Sequence, residues 1–226
     1  PGSALMPAES PDLLAFARQA GQQAVRLAKK PDMRPGDIVT LESFENAILV
    51  HAAVSGSTNC LLHLPAIAHE FGIEITGDTF DRLHRGARYL LDVRPAGRWP
   101  AEVFYYAGGV PAIMEEIREH LHSDVMTVTG KTLGENLREL KENGFYERCG
   151  QRLKEFNCRY QMSLTKEDII RPYDRAIGTD GSIAILKGNL APEGAVIKHT
   201  ACPKEMYRAV LKARPFDSEE ECLNAV

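Results

Sequence analysis

From Leu13 to Leu140 the apolar residues return repeatedly at helical spacing, and after Gly181 that rhythm gives way to short runs broken by turns. A 3.6-residue period calls for helices that bury one side, whereas short runs bounded by Gly, Asn and Pro call for strands. The first helix starts at Ser10 and Pro11 and carries Leu13, Leu14, Ala17, Ala20, Ala24, Val25 and Leu27 until Pro31 stops it. Thr40 caps a second, bearing Phe44, Ala47, Ile48 and Val50, with Glu42 and Glu45 near its positive end. Leu61, Leu62, Leu64, Ile67, Ala68 and Phe71 mark a third, bent at Pro65 and closed by Gly72. Asp78 caps a fourth through Phe80, Leu83, Ala87 and Leu90, and Pro111 opens another behind a double glycine.

Between these helices, Ile73 to Ile75 reads as a short strand or extended link, and Asp124 to Val128 as a short strand before TGKTLGENLREL, a loop then a helix. Lys141 to Asp174 is polar with mixed charge, which predicts a surface linker with short helical pieces. SIAILKGNLAPEGAVIK predicts strands, and DSEEECLNAV a terminal helix from Asp217 or Ser218. The expected class is α/β: a helix-rich α/β part over residues 1–174, then a β-containing part over 175–226.

A chain of 226 residues, 44% hydrophobic and 26% charged, has enough material for a sizeable core. Its net charge of −4 and lack of a basic stripe argue against nucleic acid as a partner. No apolar run reaches the roughly 18 residues of a membrane span, and PGSALMPAESPD has no signal-peptide layout. Cys60, Cys149, Cys158, Cys202 and Cys222 are odd in number and irregular in spacing, which predicts reduced thiols in the cytoplasm rather than a disulfide framework or a CxxC site.

TGKT, Thr129 to Thr132, invites comparison with a phosphate loop, but Val125 stands where that loop needs its first glycine. A helix start with an exposed Lys131 is the better reading. The histidines form no HExxH pattern; His120 and His122 would point to different faces, and His63 sits among leucines as a core or interface histidine would. The turn SGSTN, Ser55 to Asn59, supports two readings. Its groups meet a helix N-terminus, where free N–H donors and the dipole attract carboxylate or phosphate. Simple N-capping by Ser or Thr explains the same residues. GNLAPEGAVIK, taken alone, is a tight β turn with loops.

Four stretches, LESFENAILVHAAVSGSTNCLLHLPAIAHEFGI, AGGVPAIMEEI, VMTVTGKTLGENL and IAILKGNLAPEGAVIK, together resemble the dihydroxy-acid and sugar-acid dehydratase family, in the family's order and over nearly the whole chain. The resemblance implies a cytoplasmic hydro-lyase that removes water from a 2,3-dihydroxy carboxylate to give a 2-keto acid. It also implies an iron–sulfur cluster, [2Fe–2S] or related, with a magnesium ion, and assembly as a homodimer or homotetramer. The metals suit the chemistry: a cation steadies the enediolate charge, and a Lewis-acidic iron helps hydroxide leave. The substrate is a branched-chain dihydroxy acid or an aldonic sugar acid, with the Arg-Pro lead-in at Arg171 and Pro172 tilting toward the sugar acids.

Carried over residue by residue, Ser57, Thr58 and Asn59 match the family's Gly-Ser-Thr-Asn block and become candidate substrate-binding residues. Lys187, Gly188 and Asn189 match the block that opens a β-barrel-like second domain, near the cleft between domains. The family's cluster cysteines, its Cys-Asp-Lys motif and its magnesium ligands belong to segments before the part represented here. The glycine-rich segment with the serine base belongs after it. On this reading the chain carries no catalytic or metal-binding residue, binds no cofactor by itself and is inactive alone. The rival reading is a non-catalytic scaffold or binding relative of the same fold.

Overall fold

A computed structural model describes residues 2–8 and 10–225. The chain runs through α1 (Pro11–Leu27), α2 (Pro35–Ile38), α3 (Leu41–Val54), α4 (Cys60–Glu70), α5 (Gly77–Arg85), α6 (Ala101–Tyr106), α7 (Gly109–Glu116), α8 (Leu133–Glu142), α9 (Phe145–Tyr160) and α10 (Lys166–Ile169). The strands β1 (Ile183–Leu186) and β2 (Ala195–Lys198) follow, and α11 (Glu219–Ala225) ends the described chain. The fold is α/β and mostly helical.

The central helix, α3, begins where Thr40 accepts from the Ser43 amide at 3.3 Å and Ser43 Oγ accepts from the Thr40 amide at 3.0 Å. This reciprocal cap satisfies two of the donors that a helix start leaves open. One side of α3 packs with α4 and α5 through Phe44, Ile48, Ala68, Ile75 and Phe80. The other side joins the main core through Val50 and Ala53, with Phe104, Ile113, Leu137, Leu153 and Ile170 among its members. Fully burying a side chain such as Ile48 or Phe80 stabilises the fold by about 2–3 kcal/mol.

β1 and β2 form an antiparallel hairpin that pairs Ile183 with Lys198 and Leu186 with Ala195. The hairpin sits on α5: the Ile185 amide donates to Asp81 at 2.9 Å, and the Ile185 side chain lies against Gly77. Bridges Leu91–Ile170 and Tyr89–Gly178 lace the stretch before the hairpin onto the helical part.

Several expectations change. Asp124 to Val128 is not a strand; only Met126 bridges to Thr132, because the loop folds back on its own helix cap. Ile73 to Ile75 is an extended link. Both strands among the described residues lie after Ser182, so the helices of the first part are not interleaved with strands as expected. Thr76, not Asp78, caps α5. The stretch expected to be a polar linker contains α9, which buries Phe145, Cys149, Leu153 and Phe156 at intervals that keep them on one side. His63 is exposed, and of α4 only Ala68 is buried.

Candidate functional site

His51 and Ser55 lie one helical turn apart at the end of α3, so both face the same way. Ser55 stops the helix in a left-handed conformation, φ 55° and ψ 55°, a position usually filled by glycine. Its partners offset that strain: Ser55 Oγ is 3.0 Å from Thr200 Oγ1, and Lys198 Nζ donates to the Ser55 carbonyl at 2.7 Å and the Gly56 carbonyl at 3.2 Å. The ammonium also sits where the helix dipole is negative. Gly56 follows because nothing larger fits: a Cβ there would lie 2.1 Å from His51 Cδ2.

Beneath the turn the His51 and His84 rings meet, Nδ1 of the first to Nε2 of the second, at 3.2 Å. The ends of this pair assign its protons. The Ile183 amide only donates, 3.1 Å from His84 Nδ1, so that nitrogen accepts and His84 carries its proton on Nε2. That proton points at His51 Nδ1, which leaves the His51 proton on Nε2, 2.8 Å from the Ser57 carbonyl. A carbonyl only accepts. Both rings are therefore neutral, and the chain of bonds runs one way from β1 to the turn.

The electrostatics agree. Burial pushes His84 down to about 3, helped by the neighbouring His51 and His199 and opposed by Asp81. His51 is also lowered by burial; its bond to Ser57 opposes this, and the Lys198 charge adds to it. Burial lowers Lys198 as well. Gly181 completes the seam: its amide donates to the His84 carbonyl at 2.6 Å, and its carbonyl accepts from His199 Nε2.

Ser57, Thr58 and Asn59 are exposed at the start of α4. Asn59 occupies the N-cap position of α4 without a capping side-chain bond, and Ser57, two residues earlier, supplies the capping oxygen instead, as the N-capping reading expected. Ser57 Oγ accepts from the Asn59 amide at 3.3 Å, and the Ser57 carbonyl accepts from Cys60 at 3.1 Å. Among the described residues, the amides of Ser57 and Thr58 donate to no protein acceptor. Two backbone donors just before α4 are thus left without a protein acceptor, close to a helix start whose positive end favours a carboxylate.

Lys187, Gly188 and Asn189 are exposed at the far end of β1. Lys187 pairs with Asp78 at 2.6 Å, and Gly188 exchanges backbone bonds with Ala191. The structure does not join these residues to the Ser57 turn: the Ile183 end of the strand meets the turn, and Lys187 lies about 13 Å farther along it.

Reading the sequence alone missed His51, His84, Lys198 and Thr200. Only the i, i+4 pair of His51 and Ser55 before a glycine hinted at them; the rest depends on how α5 and the hairpin dock. TGKT does form a helix start: Thr132 accepts from the Glu135 amide, and the exposed Lys131 pairs with Glu139 at 2.7 Å. All five cysteines are free thiols, and burial pushes Cys149 up to about 11. Among the described residues no three His, Cys, Asp or Glu side chains gather as metal ligands, and no helix is long and apolar enough to cross a membrane.

The chain matches two family models, "Dihydroxy-acid/6-phosphogluconate dehydratase N-terminal" over residues 1–136 and its C-terminal counterpart over 168–226. It is 38% identical over 228 residues to a dihydroxy-acid dehydratase of Caldicellulosiruptor saccharolyticus and 42% identical over 231 to one of Solidesulfovibrio magneticus; both matches take in 100% of this chain. A dihydroxy-acid dehydratase 2 of Mesorhizobium japonicum is 40% identical over 97% of the chain. The chain spans 37% of the length of the first two relatives and 33% of the third. Two models in family order, together covering both the Ser57 turn and the hairpin that braces it, make the assignment: this chain belongs to the dihydroxy-acid/6-phosphogluconate dehydratase family.

Proposed function

We propose that the protein is a hydro-lyase that removes water from a 2,3-dihydroxy carboxylate, and that this chain supplies part of its substrate-binding surface. The observation that carries the reading is the pair of free amides at Ser57 and Thr58, set at a helix N-terminus inside the family's matched region. They would hold the substrate carboxylate, whose charge suits donors at the positive end of α4. Loss of the C2 proton and the C3 hydroxide then yields an enol that becomes the 2-keto acid. The names of the relatives favour a dihydroxy acid, and the family description also admits a sugar acid.

The proposal extends to a division near residue 175 into an N-terminal α/β part and the start of a β-barrel-like part, supported by the boundaries of the two family matches. It includes a cytoplasmic homodimer or homotetramer. An iron–sulfur cluster and magnesium belong to the proposed full-length enzyme, but the residues of this chain do not fit either group: its cysteines are scattered, and no ligand set forms among the described residues.

The test is to express the complete gene product and supply a branched-chain dihydroxy acid and an aldonic acid separately. Formation of a 2-keto acid from either supports the reading and identifies the branch. Failure with both overturns it, and makes a non-catalytic relative the better account.

A further inference from the structure

α6 packs against α9, and the segment leading into α1 completes a cavity of about 500 Å³ between them. Helical spacing builds its walls: Glu102 and Tyr106 lie one turn apart on α6, and Arg152, Phe156 and Arg159 follow one face of α9. The volume is that of a small-molecule site. Three rings form a row along it, with centroids 6.1 Å apart for Tyr106 and Phe156 and 4.6 Å apart for Phe156 and Tyr160.

Tyr105 also lines the cavity. It is only 7% exposed, yet its hydroxyl has no hydrogen-bond partner among the described residues. Burial pushes that hydroxyl up to about 12; Cys149 and Asp12 add to the effect, and Arg148 and Arg152 oppose it. Arg152 belongs to the cavity wall, so the hydroxyl lies on the cavity side of its ring. The charged groups carry both signs. Arg159 and Glu102 have no ion-pair partner among the described residues, and Arg152 has only loose ones, Asp12 at 3.7 Å and Glu155 at 3.5 Å. Burial raises the Tyr106 hydroxyl, the Glu102 carboxylate adds to this, and Arg152 and Arg159 oppose it. Opposite charges therefore flank one phenol beside a row of rings.

We propose that this cavity binds an apolar α-amino acid, with its carboxylate on Arg159, its ammonium on Glu102 and its side chain along the aromatic row. A simple anion would leave Glu102 facing a like charge, and a simple cation would do the same to the arginines. A zwitterion answers both. The Tyr105 and Tyr106 hydroxyls can accept from the ammonium or donate to the carboxylate. The site shares no residue with the Ser57 turn, and the inference does not rest on the dehydratase reading.

The experiment is calorimetric titration of the full-length protein with three probes: L-phenylalanine, hydrocinnamate, which lacks the ammonium, and phenethylamine, which lacks the carboxylate. L-phenylalanine should bind about tenfold more tightly than either, since each loses one charged hydrogen bond. Glu102→Gln should weaken L-phenylalanine about tenfold and leave hydrocinnamate within about twofold. Arg159→Gln should weaken L-phenylalanine equally and leave phenethylamine within about twofold. Both side chains are exposed, so melting temperatures should match the parent's. If a variant melts early, the three probes on the parent decide alone. No binding of L-phenylalanine at about 10 mM, the outcome if another part of the protein fills the cavity, overturns the proposal. Equal binding of the three probes, or folded variants without effect, would reveal an unspecific apolar contact and overturn it as well.

Discussion

Asn46, buried on α3, binds the backbone of His122 in both directions: its Nδ2 donates to the His122 carbonyl at 3.0 Å, and its Oδ1 accepts from the His122 N–H at 2.8 Å. A side-chain amide here mimics a strand partner and fixes the loop after α7 to the central helix. Asn46→Ala should therefore cost about 2–4 kcal/mol, since two backbone groups lose their partner together. Urea unfolding of the parent and variant measures this directly.

Acid should destabilise the protein through the histidine pair. Above the ordinary histidine pKa of 6.5 the neutral His84 favours neither state. Below it, the unfolded chain takes up a proton that the folded chain refuses until about pH 3, so stability falls across that interval. His51 is shifted the same way and adds to the slope. His84→Gln should make the melting temperature between pH 6.5 and 4 less steeply dependent on pH than in the parent.

Much of the helical part is legible in the sequence because local rules coincide there. Thr40 before an apolar run gives the start of α3, and Gly72, at φ +68°, ends the helix that begins at Cys60. The packed helix α9 is not legible because Phe145, Cys149, Leu153 and Phe156 are separated by charged residues that lower its average hydrophobicity. The Ser57 turn can be located from its residues, but its supports cannot. His84 and Lys198 reach it from 33 and 143 residues away in sequence, measured to His51 and Ser55, through packing that no local pattern encodes.

Lys131 should be dispensable. Its pair with Glu139 is half exposed, and such pairs contribute roughly 0–1 kcal/mol. Lys131→Ala should leave the substrate KM of the full-length enzyme unchanged within twofold, whereas a phosphate-loop lysine would be essential. Steady-state kinetics decide it.

Gly181 should tolerate no side chain. A Cβ there would sit 2.6 Å from His84 Nδ1 and 2.9 Å from the Ala52 methyl. Gly181→Ala should destabilise by about 1–3 kcal/mol, the usual cost of overpacking, as read from thermal melting.

The isolated chain should stay colourless when incubated with iron and sulfide under reducing conditions. Its five free cysteines converge on no common site among the described residues. Visible absorption that remains after desalting would show a cluster on these residues and contradict the expectation.

The imidazole at 51 occupies the space that any side chain at 56 would need, since even a methyl carbon would fall 2.1 Å from its Cδ2. Position 56 is therefore held to glycine for as long as the ring stays in place. A lineage that replaces the ring with something smaller releases its neighbour from being glycine, while one that keeps the ring can never change that neighbour first.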